Sequence, residues 1–169
     1  MRDFDGQGKS FLCNRLAKDF SAELIHVSAP KTNNAFLEYV QLLNNIIPDK
    51  NYVFDRCFHG ELAYGPVYRN KSMVNDDQLH YLEIMAMRNH VECIYCWTDL
   101  KNTKEVFNTR GETSTLFEDV QNLNIKFNEI IEKSTLLWSR YDWRNDSYAD
   151  MVSRFWVNIS KTQSKENKK

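Results

Sequence analysis

Glycine is scarce in this 169-residue chain. There are five, and two of them, Gly6 and Gly8, fall within the first eight positions. Glycine is placed where backbone must take a positive φ or come close to something else, so this clustering marks the N-terminus as a site of special backbone geometry. An excess of one charge is also missing. Lys plus Arg number 22 and Asp plus Glu 23, for a net charge of −1. A protein that coats DNA or a membrane by charge alone would be far more basic. No apolar run nears the roughly 20 residues of a membrane span, and no apolar signal segment opens the sequence. Cysteine is limited to Cys13, Cys57, Cys93 and Cys96, which do not make a disulfide framework in a chain of this size. A reducing, cytoplasmic setting is therefore expected.

What remains is a globular composition, 42% hydrophobic and 27% charged. The length suits one domain that buries its own core without a disulfide or metal staple. That domain is expected over residues 1–160. Residues 161–169 carry four lysines and no apolar side chain, which predicts a disordered basic tail.

The apolar pattern alternates between strand and helix. Leu12, Cys13, Leu16, Ala17 and Phe20 predict a helix over 9–20, followed by a short strand over 23–29. Asn33-Asn34 can cap a second helix with the stripe Phe36, Val40, Leu43 and Ile47, broken at Pro48. Tyr52-Val53-Phe54 reads as a buried strand that ends abruptly in Asp55-Arg56. Residues 57–74 hold Gly60, Gly65 and Pro66 without a clean period, which predicts a long loop or broken helix. Asn75 then caps a helix running to about Asn89, with Leu79, Leu82 and Met85 inward. A strand over 91–97 and a short helix after Asp99 follow. The clearest period is Leu116, Val120, Leu123, Phe127 and Ile130. A weak strand near 137–142 and a helix with Tyr148, Met151, Val152, Phe155 and Ile159 complete the series. This alternation predicts an α/β fold with a parallel sheet flanked by helices.

Asp3-Phe4-Asp5-Gly6-Gln7-Gly8-Lys9-Ser10 matches the phosphate-loop pattern G-x-x-x-x-G-K-[ST] at its last three positions. Successive backbone N–H groups turned inward, with the positive end of the following helix, make a cradle for a polyphosphate. Lys9 would reach the β- and γ-phosphates and the Ser10 hydroxyl would ligate Mg²⁺. The bland alternative is a glycine turn capping a helix. Asp3 replaces the first glycine of the pattern, and only Met1 and Arg2 precede it. A phosphate loop follows a buried strand, so the first strand is expected to be missing or truncated.

Asp55 closes a buried strand, where open α/β sheets place their ligands. It can hold Mg²⁺ or accept a proton, while the Arg56 fork fits a phosphate. Arg110-Gly111-Glu112, in the polar stretch 109–114, suits a mobile lid whose arginine neutralises transition-state charge. A solvated loop is the alternative there. Cys93 and Cys96 lie on opposite faces of a strand and read as core thiols. His59 reads as a loop histidine with no particular partner. Tyr64 and Tyr68 either pack the loop or line an acceptor's sugar and base. Trp97, Trp138, Trp143 and Trp156 read as core or rim.

Four segments carry a resemblance. They are Gly6-Gln7-Gly8-Lys9-Ser10, Val53-Phe54-Asp55-Arg56, the run from Gly60 through Glu61-Leu62-Ala63-Tyr64-Gly65-Pro66-Val67-Tyr68 to Arg69, and Arg110-Gly111-Glu112. In this order they resemble the thymidylate kinase family of P-loop kinases. Glu61 to Arg69 is most similar to the short phage-type deoxynucleoside monophosphate kinases. The resemblance implies a P-loop kinase fold with a five-stranded parallel sheet, ATP and Mg²⁺ as co-substrate, and γ-phosphoryl transfer to a nucleotide. Asp5, Gly6, Gln7, Gly8, Lys9, Ser10 and Arg110 would hold ATP. Ser10 and Asp55 would hold the metal. Arg56, Tyr64, Tyr68 and Arg88 would contact the acceptor, and Lys9, Asp55, Arg56 and Arg110 would carry the chemistry. Partners would be small nucleotides, in a host cytoplasm if the gene is phage-borne, with no nucleic acid or membrane, and a homodimer stays open.

Two kinds of rival stand beside this reading. A related kinase would act on a deoxynucleoside or on a modified base in DNA. From another class, Asp3 and the absent strand favour a catalytically impaired nucleotide-binding protein or a truncated chain.

Overall fold

A computed structural model describes residues 8–97 and 117–154. The expectations for the first seven residues, the short helix after Asp99, the lid with Arg110, Trp156 and the basic tail lie outside the described residues. Helix α1 (Lys9–Asp19) leads to strand β1 (Glu23–His26), and helix α2 (Ala35–Asn44) to strand β2 (Tyr52–Asp55). Helices α3 (His59–Arg69) and α4 (Asp76–Arg88) precede strand β3 (Cys93–Cys96). Helix α5 (Phe117–Lys133) and strand β4 (Trp138–Tyr141) follow, and α6 is helical over 148–154.

The strands form two parallel pairs. In one, His26 of β1 stands opposite Asp55 of β2; in the other, Cys96 of β3 stands opposite Tyr141 of β4. Both pairs lie between the same two helical layers. On one face, Leu12 and Leu16 of α1 and Met151 of α6 pack with Val53, Ile94, Cys96 and Tyr141. On the other, Tyr39 and Leu43 of α2 and Leu82, Met85 and Ala86 of α4 pack with Val27, Cys93 and Trp138. Opposite placement of Cys93 and Cys96 follows, as strand alternation requires. A third cluster joins α3 to α5 through Ala63, Leu123 and Ile130.

Val53 of β2 and Ile94 of β3 pack against one cluster with Leu12 and Leu16 of α1, so the two pairs share this face. Among the described residues no strand pairs with the facing edges of β2 and β3. The sheet of the described residues is therefore split where the strand leading into a phosphate loop would run.

Two expectations are corrected. Residues 57–74 are not one long loop or a broken helix: His59–Arg69 form a continuous helix, α3, with Pro66 inside it, and 70–74 link it to α4. Glycine and proline weaken a helix locally, but here burial of Ala63 and an ion pair between Glu61 and Arg69 outweigh the propensity. Helix α2 buries Ala35, Tyr39 and Leu43, with Phe36 and Val40 only partly covered. Ile47 is exposed because the helix ends at Asn44, before the stripe reaches it. Both predicted caps form: Asn34 accepts from Leu37 N–H, and Asn75 makes a capping box with Gln78.

Candidate active site

The site is built where α1 begins and β2 ends. Gly8 caps α1 in the left-handed region, φ 73°. The ring of Trp143, from the turn after β4, lies so close that a Cβ on Gly8 would sit 2.8 Å from two of its carbons. Lys9 is half-buried and Ser10 exposed in the first turn. The N–H groups of the first turn and the helix dipole gather positive potential there.

Asp55 closes β2. Burial pushes the Cys13 thiol up to about 12, with the Asp55 carboxylate and Cys96 adding to the rise and Lys9 opposing it. The Cys96 thiol rises to about 11, again chiefly through burial, with Lys9 opposing and Asp55 adding. Lys9 and Asp55 therefore both act on the thiols of Cys13 in α1 and Cys96 at the end of β3. The Asp55 side chain is 13% exposed and lies 3.1 Å from His26 Nδ1.

Arg56 follows at φ 75°, unusual for a residue with a Cβ. That turn ends β2 and aims Arg56 away from the strand line. Burial lowers its affinity for its proton, and the neighbouring Tyr64 acts in the opposite sense. Tyr64 stacks on Tyr68 at 6.1 Å and 11°, and meets Phe127 edge-on at 5.9 Å. Tyr64 thus packs α3 on α5, with Tyr68 stacked against it.

Arg88 stands apart. It is exposed in the last turn of α4, just before β3 begins, at the edge of the sheet opposite to Asp55. Asp5, Gly6, Gln7 and Arg110 lie outside the described residues.

Sequence reasoning missed the polar core behind α3. His59, read as a loop histidine, is 3% exposed and donates from Nε2 to Glu83 at 3.2 Å. Glu83 also accepts from the Ser134 hydroxyl and from the Thr135 N–H and hydroxyl. Burial alone would raise the Glu83 carboxyl, but these donors outweigh it and hold it at about 2. Burial lowers the His59 pKa despite the carboxylate. No local pattern marks this cluster, because its members come from α3, α4 and the segment before β4. Glu61 is buried likewise, accepting from Arg69 and from Met73 N–H.

The residues present suit a magnesium nucleotide. Ser10 and Asp55 are hard oxygen donors at one edge of the sheet. Among the described residues no group of three or more His, Cys, Asp or Glu could hold a metal by itself.

With two parallel strand pairs, flanking helices and a Gly-Lys-Ser helix start, the chain has an α/β P-loop kinase fold. It is similar to the crystal structure of the YorR protein of Bacillus subtilis in complex with phosphorylated GDP. The TM-score is 0.75 at 17% identity, covering 95% of this chain and 93% of that one. Deoxyadenosine kinase from M. mycoides superposes with a TM-score of 0.57 in its dATP complex, at 14% identity, over 91% of this chain and 94% of that one. Its dCTP complex gives 0.53 at 18% identity, over 92% and 95%. By sequence the chain is 21% identical over 148 residues to the SPbeta prophage-derived uncharacterized protein YorR of Bacillus subtilis strain 168, spanning 83% of this chain and 87% of that protein. No family model matches it. Among the described residues no helix is long and apolar enough to cross a membrane.

Proposed function

We propose that this protein transfers the γ-phosphoryl group of ATP to a deoxynucleoside monophosphate of thymidylate-like kind. The observation that carries this reading is that Lys9, at the start of α1, and Asp55, at the end of β2, both act on the Cys13 thiol between them in the chain. The loop Asp5–Ser10 wraps the ATP phosphates, and Lys9 with Arg110 neutralises charge on the transferring group. Ser10 and Asp55 hold the metal. Mg²⁺, when bound, draws charge from the β- and γ-phosphate oxygens. Arg56, aimed out of the strand by its left-handed backbone, takes the acceptor's phosphate as a fork, with Tyr64 and Tyr68 beside the acceptor's sugar and base.

A second reading has its own support. The likeness to deoxyadenosine kinase favours an acceptor that is a free deoxynucleoside. A monophosphate brings a dianion that needs a paired cation; a nucleoside brings only hydroxyls. Arg56→Lys separates the two, because lysine cannot reproduce the fork. For a monophosphate acceptor the substitution weakens acceptor binding by about 2–4 kcal/mol and leaves ATP binding nearly unchanged. Titration of wild type and variant with ATP, dTMP, dCMP, thymidine, deoxyadenosine and a short DNA strand checks this. Wild-type preference for a nucleoside over its monophosphate overturns the first reading in favour of the second.

A further inference from the structure

We infer that His26 is the positioning residue of the Asp55 carboxylate, an inference that rests on the metal-binding role proposed for Asp55. The two residues stand opposite each other in the parallel β1–β2 ladder, so their side chains leave the sheet on the same face. Val27 N–H donates to the Asp55 carbonyl at 3.0 Å, which ties the backbones together at that level. Beyond this level neither strand continues, and β2 turns away at Arg56. His26 Nδ1 lies 3.1 Å from Asp55 Oδ2. A carboxylate has no hydrogen to give, so Nδ1–H donates and Oδ2 accepts.

The exposures differ. The Asp55 side chain is 13% exposed and that of His26 is 56% exposed. A pair with one exposed partner contributes little to stability, so the contact is not needed to hold β1 against β2; the backbone ladder already does so. What the contact does is stop rotation about the Asp55 Cβ–Cγ bond. With Oδ2 occupied by His26, Oδ1 is left for a ligand. Among the described residues no other hydrogen bond reaches this carboxylate. A donor behind a ligating carboxylate orients it, and removing such a donor costs about 10–100-fold in metal affinity or activity.

Three substitutions divide the imidazole by atom. Asparagine places an N–H close to where Nδ1 stands, glutamine places one close to Nε2, and alanine places none. The test is Mn²⁺ titration in the presence of a non-hydrolysable ATP analogue, for wild type, His26→Ala, His26→Asn and His26→Gln, with melting curves for each. The expected result is about tenfold weaker Mn²⁺ binding in His26→Ala, recovery in His26→Asn, no recovery in His26→Gln, and melting within the range of a surface substitution. In turnover assays kcat falls with the metal affinity while the KM for the acceptor stays put. Equal Mn²⁺ binding in all four proteins overturns the inference. So does recovery by glutamine alone, which assigns the role to Nε2, and so does a wild type that binds no Mn²⁺. The underlying reading fails separately. If the Mn²⁺ order holds but no nucleoside or nucleotide is phosphorylated, the positioning role stands and the proposed reaction does not.

Discussion

At Gly8 two constraints coincide: a backbone at φ 73° and the ring of Trp143 against the missing Cβ. Left-handed backbone costs an L-residue about 1–2 kcal/mol, and the ring leaves no room for a methyl group. Gly8→Ala is therefore expected to lower stability by at least that amount and to move Trp143, read together as a lower urea midpoint and altered tryptophan fluorescence. Lys9 differs, because its side chain is half-buried at the helix start and supports no core cluster. Lys9→Ala is expected to leave melting unchanged and to lower turnover by about 10²–10³-fold. Unchanged turnover would exclude the phosphate-loop reading. The helix start at Gly8-Lys9-Ser10 was legible in the sequence because capping is local: consecutive residues build it. Trp143 was not, since its approach to Gly8 depends on where β4 delivers its turn.

Helix α3 shows the same division at the scale of an element. Two glycines and a proline predict breakage, yet the helix holds because its partners lie elsewhere in the fold. Glu61 is 4% exposed and paired with Arg69, and Gly65 admits the Lys71 carbonyl to a spot 2.8 Å from where a Cβ would stand. Removing one member of a buried pair strands the other charge. Arg69→Met is expected to cost about 3 kcal/mol, measured by urea unfolding, with α3 the first element to lose protection in hydrogen exchange. Helices α4 and α5, by contrast, were readable from pattern alone. Their apolar period and, for α4, the capping box at Asn75 are contained in the segment itself.

For the whole molecule the buried titratable groups set a window of stability. Glu83, held at about 2 against an ordinary 4.5, contributes stability that is full above 4.5 and lost as pH falls toward 2. His59 is shifted below its ordinary 6.5, so the unfolded chain takes up that proton first and stability also falls as pH drops below 6.5. Burial raises the thiols of Cys13 and Cys57 from 9.0 to about 12 and that of Cys96 to about 11. Their contribution is full below 9 and lost as pH rises above it. A plateau between about pH 6.5 and 9 is expected in the urea midpoint. Glu83→Gln should lower the plateau and flatten its acid limb below pH 4.5. An acid limb identical to wild type would show that the cluster does not govern acid unfolding.

The sequence by itself determined the α/β alternation, the helix start at Gly8-Lys9-Ser10, the strand ending in Asp55-Arg56 and the opposite faces of Cys93 and Cys96. Each is written in residues that are neighbours along the chain, where period, capping and turn chemistry act. Only the tertiary structure decided that α3 is continuous, that Arg88 is exposed at the end of α4, that His26 stands beside Asp55, and that His59 and Glu83 share a buried core. Those outcomes depend on contacts between segments dozens of residues apart. Their energies come from burial and hydrogen bonds that exist only once β1 lies beside β2 and α3 has packed against α4 and α5.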